Sequence, residues 1–214
     1  MKYINNLINH YNEEVEYYSD SWLEKWHLDM ELKVINRILG KIIQKKHKEG
    51  LDIACHTGRY TFLLAEKGLN SLGIDTSDKA LSVAEKVKAK SKVNNASFRK
   101  MDATKIKISK KFDVIVLMEL LHHLPDELAV NLFKKSLSML NSNGFLIFDL
   151  KNILNPVITK VYKKYSNDRL LLKARHLSFF DRIAKERGCK IVLKKSLVTP
   201  LWQIEPFVIV VVKK

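Results

Sequence analysis

Cysteine is nearly absent from this chain of 214 residues, and the two present, Cys55 and Cys189, stand far apart in unlike contexts. A disulfide framework is therefore not what holds the fold, and a reduced, cytoplasmic setting is the expectation. Two cysteines with scattered histidines give no ligand spacing, so no metal site is expected. No run of 18 apolar residues occurs, which argues against a membrane-spanning helix. The opening Met1-Lys2-Tyr3-Ile4-Asn5-Asn6 lacks the apolar core of a secretion signal. No internal repeat or biased tract is visible. Acid is scarce in the last third: residues 151–214 hold 15 basic and 4 acidic groups, so 15 − 4 = +11 of the net +15 lies there. Such a field draws anions, whether nucleic acid, acidic lipid headgroups or phosphorylated metabolites. Lysine outnumbers arginine 31 to 7, so a plain solubility charge is the competing reading. An apolar share of 46% is enough to build one globular core.

What is present is organised around residues 50–60. Leu51-Asp52-Ile53-Ala54 reads as a short buried strand with an acid inside it, and Gly58 breaks its period. Thr61 to Lys67 follow with helical spacing, and Gly68 is a C-terminal stop. A strand, tight turn and helix aim free N–H groups and the positive helix end at one point, which suits a carboxylate or phosphate. Asp75 ends the next strand, Ser71-Leu72-Gly73-Ile74-Asp75, where an acid accepts both hydroxyls of a ribose. Together these imply a nucleoside cofactor. The three-glycine dinucleotide fingerprint is absent, which makes a nicotinamide dehydrogenase a poor fit.

Periodicity places the remaining elements. Residues 21–48 read as a helix with Trp22, Trp26, Met30, Val34, Ile38 and Ile42 in one stripe, widened by Ile35, Leu39 and Ile43. Ser19, Asp20 or Ser21 could cap it. Further helices are expected over 78–92, from Pro125 to Leu140, and over Leu177–Arg187, with Asn141 to Gly144 ending the second of these; strands are expected over Ala96–Met101, Asp113–Met118 and Phe145–Leu150. Asn152 to Lys164 is an additional segment, apolar on one side and lysine-rich on the other, with Pro156 opening a helix. Lys190–Leu197 and Phe207–Val212 read as strands joined by the short stretch Thr199 to Pro206, which implies antiparallel pairing.

The stretch Asp52-Ile-Ala-Cys55-His-Thr-Gly58-Arg, with Gly73-Ile-Asp75-Thr-Ser77, resembles the class I S-adenosylmethionine-dependent methyltransferases. It is most similar to their small-molecule, type 11-like branch. Phe98-Arg-Lys-Met-Asp102-Ala103, the run from Phe112 through Met118, Glu119, His122 and His123 to Asp126, and Asn141 to Asp149 resemble the family's third, fourth and fifth strand motifs in order. The likeness covers residues 50–150. It implies an α/β, Rossmann-like, seven-stranded and mostly parallel sheet with an antiparallel final strand and helices on both faces. One domain then spans 1–214: an N-terminal cover and helix (1–48), a cofactor-binding core (50–150), a substrate-cover insertion (151–189) and a terminal β-hairpin (190–214). Tyr11, Tyr17 and Tyr18 could line the active site.

The resemblance also implies roles. Ala54, Cys55, His56 and Gly58 would wrap the methionine part of S-adenosylmethionine, with Asp52 facing its amino group. Asp75 would hold the ribose with Thr76 beside it, and Asp102 and Ala103 would meet the adenine. Met118 and Glu119 would lie near the methyl. Glu119, His122 and His123 are the candidates for polarising or deprotonating an acceptor; in-line displacement needs little beyond alignment, so neither a triad nor a metal is expected. Where the family has three glycines, this chain has Ala54, His56 and Gly58. Methyl transfer to a small or lipid-linked, anionic acceptor is the leading reading, with peripheral membrane contact as a corollary of the amphipathic insertion. A tRNA or rRNA methyltransferase is the alternative that the basic last third favours. A catalytically silent cofactor-binding protein is the alternative that His56 favours.

Overall fold

The computed structural model describes residues 22–167, 171–196 and 207–214, with side chains described from residue 29 onward. Tyr11, Tyr17, Tyr18, the three candidate caps before Trp22, the side chains of Trp22 and Trp26, and the Thr199 to Pro206 connection lie outside these residues. The described elements, in chain order, are α1 (Trp22–Ile42), β1 (Glu49–Ile53), α2 (Arg59–Glu66), β2 (Asn70–Asp75), α3 (Asp78–Ser91), β3 (Ala96–Lys100), β4 (Phe112–Leu117), α4 (Asp126–Ser138), β5 (Leu140–Lys151), α5 (Pro156–Tyr165), α6 (Leu177–Glu186), β6 (Lys190–Ser196) and β7 (Phe207–Lys213). The strand order is β3-β2-β1-β4-β5-β7-β6. β1, β2 and β3 pair in parallel, whereas β7 runs antiparallel to both β5 and β6. This is the expected Rossmann-like sheet. The chain divides into two compact units, residues up to 107 with 112–116, and 108–111 with 117–214.

In the first unit, α1 ends at Ile42, where its apolar stripe runs out and short of the expected end at residue 48. The backbone N–H of His47 bonds the Gln44 carbonyl at 2.9 Å, closing a turn that hands the chain to β1. The buried face of α1 is Glu31, Leu32, Ile35, Ile38 and Leu39, so its centre lies on Ile35 and Leu39 and includes an acid. α2 packs on β1 and β2, and α3 on β2 and β3. Ser77 caps α3 by accepting the Ala80 N–H. Phe62, Ala65, Val83, Val87 and Ala96 form one buried cluster, and the Phe98 ring meets Phe62 edge-on at 5.4 Å.

In the second unit, Phe133 of α4, Phe148 of β5 and Phe180 of α6 pack as a fully buried triad, with centroids 4.8–5.2 Å apart. The preceding helix ends at Ser138 and β5 runs without a break from Leu140 to Lys151, so Asn141 to Gly144, expected to end that helix ahead of a strand from Phe145, belong to the strand itself. The reason is a distant partner. Asn143 N–H bonds the Lys214 carbonyl, and Lys214 N–H bonds that of Gly144, both at 3.1 Å, which extends the β5–β7 ladder over the stretch. Asn155 caps α5 by accepting the N–H groups of Val157 and Ile158, with Pro156 in the first turn.

Candidate active site

The turn after β1 alternates. Ala54, His56 and Gly58 all adopt left-handed backbone, with φ of 61°, 47° and 83°. These are the positions where the family has glycines. Only Gly58 is also required for space, because a Cβ there would lie 2.6 Å from the Phe98 ring. Gly73 on β2 is needed for a different reason: a Cβ would meet Thr61 Oγ1 at 2.5 Å and Cys55 Sγ at 2.8 Å. Its absence lets the turn settle against β2, where Cys55 N–H bonds the Ile74 carbonyl at 3.0 Å.

Asp75 sits at the meeting point. Its Oδ2 accepts the His56 N–H and its Oδ1 the Ser77 N–H, both at 2.9 Å. Each oxygen keeps a second lone pair for an incoming hydroxyl. Thr76 beside it is exposed. Asp52, by contrast, is only 1% exposed and accepts the Thr61 hydroxyl at 2.7 Å. Burial raises its carboxyl to about 7. It lies beneath the turn and reaches a ligand only through backbone or water. Burial likewise pushes the Cys55 thiol up, which makes it a packed residue and not a nucleophile. Asp102 caps its own turn, accepting the Thr104 N–H and hydroxyl on Oδ1, and Ala103 is half-buried beside it.

Two buried polar residues of this unit carry no role in the sequence reading. Glu31 of α1 accepts the Tyr60 hydroxyl in a short bond. Arg59, first residue of α2, is 7% exposed, and its buried Nε has no hydrogen-bond partner. Among the described residues its guanidinium forms no ion pair. A buried cation left in that condition is costly. It stands where the N-terminal N–H groups of α2 are also uncapped, since Gly58 offers no side chain and no acid occupies the first turn. Burial lowers the His56 imidazole, opposed by the Asp75 charge and aided by that of Arg59.

The second unit gathers a different set. Met118 is buried and Glu119 follows it with φ of 54°, a strained value for a non-glycine residue. The Glu119 N–H bonds Asp149 Oδ1 at 2.7 Å. Asp149 and Lys151, two apart on β5, present side chains on one face. The Lys151 ammonium, 3% exposed, bonds Glu119 Oε1 and lies 3.0 Å from Asp149 Oδ2. His122 is buried, 3.7 Å from Glu119 and 3.9 Å from Asp149. Burial, then the neighbouring Lys151 charge, pushes its imidazole down to about 3, so it stays neutral. His123 stacks on it at 4.0 Å and bonds the Leu171 carbonyl through Nδ1, while the Tyr162 ring of α5 lies 6.0 Å from His122. Glu119, His122 and Asp149 are close enough to share a cation. Lys151 already supplies the positive charge there, so the set does not fit a divalent metal.

The loop carrying these histidines is clamped from afar. Buried Arg175 donates to the Leu121 and Leu124 carbonyls, both at 2.6 Å, and to Asp126 at 2.9 Å. The Lys173 N–H bonds the His122 carbonyl at 2.8 Å. Lys151 and Arg175 look like surface residues in the sequence. Asp149 is the one legible signal, a charge within an otherwise apolar strand, and Lys151 shares its face by the two-residue period.

A family model described as a methyltransferase domain matches residues 44–195. The chain is 30% identical over 125 residues to a ubiquinone biosynthesis O-methyltransferase of Nitrosomonas europaea, covering 58% of this chain and 51% of that protein. It is 30% identical over 148 residues to a protein of the same description from Coxiella burnetii, covering 65% and 62%. The chain thus spans between half and two thirds of the length of these two relatives. A crystal structure of magnesium protoporphyrin IX methyltransferase from Synechocystis, with bound SAH, shares the fold at a TM-score of 0.75 and 16% identity, covering 98% of this chain and 94% of that one.

Proposed function

This chain belongs to the class I S-adenosylmethionine-dependent methyltransferases, and from that premise we propose that it methylates an oxygen of a small or lipid-linked acceptor that carries negative charge. The observation that carries the donor half is the closure of the first turn onto Asp75. What the bound donor supplies is an activated methyl on a sulfonium. Asp75 takes the ribose hydroxyls on its free lone pairs, with Thr76 beside it. Ala103 N–H and Asp102 meet the adenine. The left-handed turn from Ala54 through Cys55 and His56 to Gly58 lies along the methionine part. Asp52 supports the turn from below. The orphaned Nε of Arg59 and the uncapped N-terminus of α2 fit the donor's carboxylate, which would relieve an uncompensated buried cation.

For the acceptor, the cluster in the second unit is the proposed site. Glu119 takes the acceptor's proton, held in place by Lys151. His122 shapes the pocket, since an imidazole with a pKa of about 3 is a poor base at neutral pH, and His123 packs beside it. The Lys151 ammonium favours an acceptor that is already, or becomes, an oxyanion. Alignment of the reacting groups supplies about 7–11 kcal/mol of such a reaction's barrier reduction. The relatives' O-methyltransferase names support oxygen as the methylated atom.

Calorimetric titration with S-adenosylmethionine and with its demethylated product tests the donor half. Binding is expected for both, and Asp75→Ala should weaken it by at least about 1.5 kcal/mol. No heat with either ligand would sink the reading, and an unchanged affinity would remove Asp75 from the ribose. Labelled-methyl transfer to a cell extract, with and without nuclease, tests the acceptor. Label in a nuclease-sensitive polymer would favour the RNA reading that the basic last third also supports.

A further inference from the structure

α5 turns an apolar stripe to solvent. Val157, Val161 and Tyr165 recur every four residues, which puts them in one line along the helix, and Leu154 stands in the turn just before it. They are 49%, 40%, 53% and 54% exposed, and Ile153 just before them is 46% exposed. Among the described residues only Leu128, Val192 and Leu193 are large, apolar and comparably exposed. The helix keeps its own packing on the adjoining flank, where Ile158 is buried and Tyr162 faces His122. Its stripe is therefore surplus to what folding uses. It is also presented rigidly, because the Asn155 cap and the Pro156 start fix the first turn.

Charge identifies the occupant. Lys160, Lys163 and Lys164 are exposed along one border of the stripe, and no acidic residue occurs from 150 to 167. The Lys164 ammonium folds over the Tyr165 ring at 4.9 Å, an apolar stem with its charge at the rim. A border of one sign beside an apolar line matches a surface of uniform negative charge with hydrocarbon beneath it. No described helix is long and apolar enough to cross a membrane, so the contact is one of lying in the interface.

We propose that residues 153–165 dock the protein on anionic phospholipid bilayers, with the aliphatic stripe at the acyl boundary and the three lysines at phosphate level. This assignment is independent of methyl transfer. It would bring the cluster that Tyr162 faces close to amphiphilic molecules held in the bilayer.

Co-sedimentation of the full chain with vesicles tests it. One set is phosphatidylcholine alone, the other phosphatidylcholine mixed with phosphatidylglycerol. Binding is expected to the mixed vesicles only, and to weaken as salt rises. Replacing the three lysines together with glutamine should weaken it on the order of a hundredfold. Val157→Gln with Val161→Gln should weaken it by about tenfold or more while leaving calorimetric binding of S-adenosylmethionine unchanged. Equal binding to both vesicle types, or binding to neither, overturns the proposal. So does sedimentation velocity showing a dimer that the valine variants dissociate, since a second copy would then be what covers the stripe.

Discussion

Ala54 and His56 hold backbone conformations that L-residues enter at a cost of roughly 1–2 kcal/mol each. Histidine tolerates the region better than alanine does. Ala54→Gly should therefore stabilise the chain by roughly 0.5–1 kcal/mol in urea unfolding, even after glycine's larger unfolded-state entropy; a loss of stability would mean the Cβ has a packing role that outweighs its strain. Two buried titratable groups make opposite demands on pH. Asp52 is raised from 3.8 to about 7, so its contribution is complete below 3.8 and is lost as pH rises through about 7. His122 is lowered from 6.5 to about 3, so its contribution is present above 6.5 and is lost as pH falls toward 3. Relative to the unaltered chain, Asp52→Asn should gain stability as pH rises from 4 to 7, and His122→Gln should gain as pH falls below 6.5. Parallel urea midpoints across this range check both signs, and a pH-independent difference in either variant would refute its assigned burial. Asp52 and Asp75 could be read from the sequence because each interrupts or ends an apolar strand. Arg59, Lys151 and Arg175 could not, because a lone basic residue looks the same whether solvent or a buried carbonyl receives it.

At the level of elements, α6 is anchored by three buried side chains. Phe180, Ile183 and Ala184 are its buried residues, and Phe180 is the one that completes the aromatic triad. Phe180→Ala should cost about 3–5 kcal/mol by chemical unfolding; a cost under 1 kcal/mol would show that the triad closes around the gap. The clamp on the loop after β4 is more specific. Arg175→Lys keeps the charge but cannot reach two carbonyls and a carboxylate at once, and should still cost at least about 2 kcal/mol. A lysine variant as stable as the parent would reduce the clamp to simple charge pairing. Helices and strands with strong period were legible to within a few residues, as α3, α5 and β7 illustrate. The run Asn141 to Gly144 was not, because turn-forming composition is local whereas its extended state is imposed by Lys214. The early end of α1 has the same origin, a turn around His47 that no window of the sequence announces.

For the molecule as a whole, a net charge of +15 makes the folded state repel itself. Stability should rise from about 0.01 M to about 0.15 M salt as the Debye length shrinks from roughly 30 to 8 Å. A urea midpoint that falls over this interval would mean that attractive pairs, not excess lysine, dominate the surface. The order in which the sheet is assembled has a further consequence. β7 lies between β5 and β6 yet is synthesised after both. At synthesis rates of about 5–20 residues per second, β5 waits several seconds with one ladder of N–H and C=O groups unsatisfied while residues 152–206 are made. That interval is when a nascent chain is open to strand addition by a neighbour.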